Sequence, residues 1–158
     1  MTEQGSGITE LDERIPFLLS QLGAHVSSDF QRRLAPIGTD PRTYAVLLAL
    51  AAADGQSQRQ LSERLGIHRN AMVMVIDNLE QRGLAKRLTH PDDRRAVAVT
   101  LTAKARRLLP ALHDQGRELE DEIAAPLSAT ERATLRRLLQ RVAAGAGLIP
   151  GVHPGLTR

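Results

Sequence analysis

The side chains with types and spacing suited to chemistry fall in the middle of this 158-residue chain. Arg69 and Asn70 stand together, with Val73, Met74 and Asn78 following at helical spacing. Such a face combines planar hydrogen-bonding groups with short apolar ones. Arg pairs with a guanine edge, Asn with adenine, and Val or Met meets a thymine methyl. An amphipathic helix without a partner would show the same face, so its neighbours must decide. Those neighbours are basic: Gln56 to Arg107 holds 11 Lys/Arg against 5 Asp/Glu, while the rest of the chain holds 10 against 13. A positive segment between acidic ends is the electrostatic footprint of a polyanion partner. Lys86, Arg87, Arg94 and Arg95 are candidate phosphate contacts. Ser57, Gln58 and Gln60 open a short helix whose backbone N–H groups can meet a phosphate, and His68 faces the same partner or solvent.

Other chemistries lack their parts. Without Cys there is no disulfide, thiolate metal site or thiol redox centre. His25 and Asp29 lie four apart and could form half a metal site, but the remaining histidines, at 68, 90, 113 and 153, are scattered. No Ser or Thr has a His at a catalytic spacing, and there is no Gly-rich phosphate loop. Neither an enzyme nor a metal or other cofactor is expected. No apolar run is long enough to span a bilayer, and Met1 to Glu10 lacks a signal-peptide pattern, so the expected location is cytoplasmic.

The elements that must position these residues are mainly α-helical. Aromatics make up only 2% of the chain, so Leu, Val, Ile and Ala must fill the core. Leu11, Ile15, Leu18, Leu22, Val26, Phe30 and Leu34 mark one face of a long helix, with Pro16 in its first turn or kinking it. Pro36 and Gly38 stop it. Asp40-Pro41 starts the next helix, which ends at Asp54-Gly55. Ser57 to Gln60 fits a capping box, Gly66 makes a turn, and a second helix runs from about His68 to Arg82, where Gly83 stops it. That order is a helix-turn-helix. Met72, Val75, Ile76 and Leu79 should be its buried face. Leu84 to Leu88 and Ala96 to Leu101 read as strands joined by His90 to Arg95, a charged hairpin in the place of a wing. Thr102 caps a long helix reaching Pro126, with a kink at Pro110, and Ser128 to Glu131 caps the last helix. The Gly- and Pro-rich residues from Gly145 onward should fray.

The strings LSERLGIHRN, VIDNLE, QRGLAKR and HPDDRRAVAVTLT together resemble the MarR family of winged helix-turn-helix regulators, closely over Gln56 to Thr102. The resemblance implies a single 1–158 domain with a DNA-binding lobe at 40–102 and long dimerisation helices at 10–36 and 103–145. It implies a homodimer on a pseudo-palindromic double-stranded DNA operator, often a repressor released by a small aromatic or phenolic ligand. A non-specific DNA architectural protein and a metal-responsive regulator are the alternatives. The family's wing pattern, Asp-x-Arg and then Leu-Thr, is carried here by Asp93, Arg95, Leu101 and Thr102. On that pattern Asp93 orients the wing by holding the Arg95 guanidinium, and the neighbouring Arg94 can share its role. Phe17, His25, Phe30 and Tyr44 are the larger side chains available to line an effector pocket. Two positions depart from the family: Ala105 replaces a frequent Gly, and Met74 replaces a polar or Arg residue, so base preference does not carry over.

Overall fold

Local signals set most helix boundaries in the computed structural model, which describes residues 7–157. The N-terminal stripe is an exception. It divides into α1 (Thr9–Asp12) and α2 (Ile15–Leu34) rather than forming one helix. Arg14 is extended between them, and Pro16 falls in the first turn of α2, where its missing N–H forfeits no bond. A 3-10 turn (Ala35–Ile37) and Gly38 at φ +72° end α2. Asp40 then caps α3 (Pro41–Ala52), accepting the N–H groups of Arg42 and Thr43 at 2.9 and 3.0 Å.

The helix-turn-helix is α4 (Gln58–Leu65) and α5 (Arg69–Gln81), joined through Gly66 at φ +65°. The Ser57–Gln60 capping box forms as expected. The wing is longer than its alternation suggested: β2 (Ala85–His90) and β3 (Asp93–Leu101) leave only Pro91 and Asp92 between them. A two-residue strand, β1 (Gln56–Ser57), pairs with the other edge of β3, giving a three-stranded antiparallel sheet in the order β1-β3-β2. Thr102 caps α6 (Ala103–Ile123), which runs through Pro110 as one helix, and Ser128 caps α7 (Ala129–Gly145). The tail does not fray: it folds back and ends in a 3-10 turn (Pro154–Leu156).

One core lies under this lobe. Leu47 and Leu50 of α3, Leu61 of α4, Met72 and Ile76 of α5 and Leu112 of α6 are fully buried together. The predicted inner face of α5, with Val75 and Leu79, is the buried one. Its other face is left at the surface, and Met74 is 73% exposed. Burying one stripe of α5 in an aliphatic core thus fixes which residues it offers outward. Among the described residues no helix is long and apolar enough to cross a membrane.

Candidate nucleic-acid interface and ligand cavity

The outward face of α5 carries Arg69, Asn70, Val73, Met74, Asp77 and Asn78, all exposed. His68 is its N-cap, and its Nδ1 accepts the Asn70 N–H at 3.3 Å. This imidazole therefore organises the helix start as well as standing beside the candidate base-reading residues.

Arginines differ in how they are paired. On the outer helices Arg33 pairs with Asp29, Glu118 and Glu122, Arg132 with Asp121, and Arg136 with Glu120. Around α5, the side chains of Arg69, Lys86, Arg94 and Arg95 have no hydrogen bond or ion pair among the described residues. These four cations, on α5 and the wing strands, have donors free for phosphate oxygens. Arg87 behaves differently from its expected role as a phosphate contact. Its guanidinium meets Asp77 at 2.6 Å and also Glu80, and its Nε donates to Gln58 at 2.8 Å. Glu80 further accepts the Arg87 backbone N–H at 2.9 Å. Arg87 and Gln58 thus latch the wing to both helices of the motif, with the Arg87 guanidinium and the Gln58 amide oxygen engaged inside the protein. Ser57 and Gln60 are similarly engaged in their capping box.

The wing tip also departs from expectation. Asp93 accepts the backbone N–H of Arg95 at 2.8 Å, and among the described residues it makes no ion pair with the Arg95 guanidinium. The carboxylate shapes the turn and leaves the Arg95 side chain to reach outward. Successive residues of a strand face opposite sides, so Arg94 and Arg95 leave the hairpin in opposite directions and do not share one role.

A cavity of about 670 Å³ lies between α2, α3 and α6. Phe30 and Tyr44 line it, with ring centroids 4.9 Å apart in an edge-to-face arrangement. Burial raises the Tyr44 pKa, so the hydroxyl keeps its proton, and it has no hydrogen bond among the described residues. Gly116 of α6 makes room for it: a Cβ there would lie 2.9 Å from the hydroxyl oxygen. Val26, Leu119 and Leu156 add apolar wall. Ser27, Gln31 and His153 add polar groups to the same wall.

Phe17 and His25 do not belong to this cavity. Phe17 sits in a separate depression with Ile8, Asp12 and Gln21, and His25 is exposed. Nor does His25 form half of a metal site with Asp29, whose carboxylate accepts from Arg33 and Arg32 at 2.8 and 2.9 Å and is held below its ordinary pKa mainly by Arg33. Sequence reasoning missed the cavity's His153, Gly155 and Leu156, because nothing in a Gly- and Pro-rich tail signals where it docks.

Comparison with known proteins agrees with this geometry. The sequence profile of the MarR family matches residues 37–96. A Thauera aromatica protein assigned to transcriptional regulation of the hcr operon is 32% identical over 105 residues, 66% of this chain and 63% of that relative's length. The chain thus aligns to less than two thirds of that relative. The transcriptional repressor CouR bound to a 23-mer DNA duplex superposes with a TM-score of 0.77 at 32% identity, covering 89% of this chain and 99% of that one. CouR from Rhodococcus jostii RHA1 bound to p-coumaroyl-CoA superposes at 0.72 and 30% identity, covering 84% and 94%.

Proposed function

This chain belongs to the MarR family of transcriptional regulators with a DNA-binding winged-helix fold, and on that premise we propose that it is a homodimeric repressor of a pseudo-palindromic operator, acting in the cytoplasm. A small aromatic or phenolic effector releases it from DNA. The observation that carries the reading is the set of cations without a partner among the described residues, Arg69 on α5 with Lys86, Arg94 and Arg95 on the wing strands, together with the exposed face of α5. Elsewhere the protein neutralises many of its arginines, as at Arg33, Arg132 and Arg136. The CouR neighbours, one on DNA and one holding p-coumaroyl-CoA, support the two halves of the proposal. The cavity supports the second half from this chain's own residues, since Phe30 offers a ring edge or face and Tyr44 an unengaged donor. An occupant acts by favouring a lobe arrangement that misses the groove, and only its differential affinity for that arrangement can shift the equilibrium.

The recognition helix and the wing divide the work. Arg69 and Asn70 read base edges, and Val73 and Met74 touch thymine methyls. Arg95 and Lys86 hold phosphates or the narrow groove, whatever the major-groove sequence. Titrations on an operator and a random duplex at two salt concentrations test this. Arg95→Ala is expected to weaken both complexes and to flatten the salt dependence by about one unit of slope. Asn70→Ala should cost about 1–3 kcal/mol on the operator and less on random DNA. An unchanged affinity of Arg95→Ala for both duplexes rejects the wing contact. Equal affinity of the native chain for both duplexes favours an architectural protein over a regulator.

A further inference from the structure

The segment after α7 joins the cavity to the helix-turn-helix. Gly147 and Gly151, both at φ +73°, turn the chain back toward the DNA-binding lobe. His153, Gly155 and Leu156 then enter the cavity wall alongside Phe30 and Tyr44. The Leu156 carbonyl accepts from Arg42 Nε on α3 at 3.1 Å. One residue later the Thr157 carbonyl accepts the backbone N–H of His68 at 3.3 Å. His68 is the N-cap of α5, immediately before Arg69 and Asn70. The packing at the turn of the motif is close: a Cβ on Gly66 would stand 2.9 Å from Val152 Cγ1 and 3.3 Å from Thr157 Cγ2. One continuous stretch therefore touches the ligand cavity, α3, the motif's turn and the start of the recognition helix.

We propose that residues 150–157 are a positioning strap, holding the N-terminal end of α5 in its base-reading place and transmitting the filling of the cavity to it. The proposal rests on the DNA-binding reading above. Position makes it selective. The strap bonds to the residue preceding Arg69 and Asn70, whereas Lys86 and Arg95 stand on β2 and β3, which the contacts above do not include. Loosening it moves base-edge contacts and leaves wing contacts alone. An occupant that displaces Leu156 pulls on Thr157, the next residue, and so on the His68 N–H.

A chain ending at Ile149 is compared with the full chain on operator and random duplexes by fluorescence anisotropy at one salt concentration. Operator affinity is expected to fall about two- to tenfold, the equivalent of one backbone hydrogen bond, with random DNA bound as before. An equal fall on both duplexes, or no fall on the operator, overturns the strap. If the shortened chain fails to fold by circular dichroism, the full-length double variant Val152→Ser with Leu156→Ser is judged by the same outcomes. Coupling is tested by Ala45→Phe, which fills the cavity from α3. It should weaken operator binding in the full chain and change nothing in the shortened one, and equal effects in both overturn the coupling. Amide exchange at His68 gives a readout that needs no DNA. It should quicken in the shortened chain, and unchanged exchange overturns the strap. A full chain that binds no duplex, with His68 exchange responding as expected, places the failure in the DNA-binding reading instead.

Discussion

Arg87 and Arg95 lie eight residues apart in the wing and have opposite surroundings. Arg87 faces Asp77, Glu80 and Gln58, while Arg95 is exposed, its backbone N–H donates to Asp93, and its side chain has no partner among the described residues. A guanidinium gripped by two carboxylates gives little to a phosphate, because its forked donors are already used. Arg87→Ala is therefore expected to lower folding stability by about 1 kcal/mol, since it removes a partly exposed guanidinium that ties β2 to both helices of the motif. It should also weaken DNA binding by leaving the exposed Asp77 carboxylate on the helix face without its counter-charge. Arg87→Lys restores the charge but not the fork, so it should recover DNA affinity more fully than stability. Denaturant titration with parallel anisotropy checks both. Full stability of Arg87→Ala with a salt slope reduced by one would make Arg87 a phosphate contact after all. Asp93 offers a finer test. Asp93→Asn keeps an acceptor for the Arg95 N–H and removes a negative charge near DNA, so it should bind both duplexes at least as tightly as the native chain. Asp93→Ala removes the acceptor too and should bind less tightly than Asp93→Asn. Equal affinities of the two variants would show that the hydrogen bond is idle.

Helix starts were the most legible elements, because a cap is a local event. Asp40, Ser57, Thr102 and Ser128 each cap the helix that the sequence assigned to them. Two of these are capping boxes that differ in one respect. The box on α4 closes with Gln60, which does not titrate, and the box on α7 with Glu131. Hydrogen bonds from the Ser128 backbone and then its side chain hold the Glu131 carboxyl below its ordinary pKa. A lowered folded-state pKa means stabilisation that is complete above the ordinary glutamate range and lost as pH falls through the lowered value. First-turn amides of α7 should therefore lose exchange protection in acid before those of α4, and Glu131→Gln should abolish the difference. Equal acid sensitivity of both turns would refute it. Other elements escaped the sequence for identifiable reasons. β1 is two residues long, too short to show a period, and the charged run Asp93 to Arg95 hides the start of β3 behind polar side chains. The break at Glu13–Arg14 was invisible because Leu11 and Ile15 keep the helical spacing across it. Of the four side chains expected together, Phe30 and Tyr44 line one cavity and Phe17 and His25 do not. At about 100° per residue, His25 and Phe17 each stand about 140° around α2 from Phe30, on opposite sides of it, so membership of one helix did not place them in one cavity. The tail is held by two backbone carbonyls, which no side-chain pattern reports.

At the scale of the whole molecule, α2 and α6 share the lobe's apolar core through Leu34 and Leu112, and charge adds a second tie between the two helices. Arg33 of α2 meets Asp29 on its own helix and Glu118 and Glu122 on α6, tying the two helices together. Other apolar residues of α2, and those of α7, meanwhile stay uncovered. Ile15 is 67% exposed, Leu22 52% and Val142 52%, with Leu135, Leu138 and Leu139 also open on α7. A stripe at spacings of three and four on a helix normally faces a core, and the lobe's core contains none of these residues. A second copy related by a two-fold axis would cover the same surface on each chain. It would also set two α5 helices roughly 34 Å apart, one turn of DNA. Leu135→Glu combined with Leu139→Glu puts two charges on that face and should give a monomer by light scattering at micromolar concentration, with the far-ultraviolet circular dichroism of the DNA-binding lobe retained. Such a monomer has one recognition helix per particle. It should bind a full operator no better than an isolated half-site, whereas the native chain should strongly prefer the full operator, because its second half-site is engaged at high effective concentration. If the double variant remains a dimer, the α7 stripe is not the interface. If it is a monomer that still prefers the full operator, dimerisation is not what pairs the two half-sites.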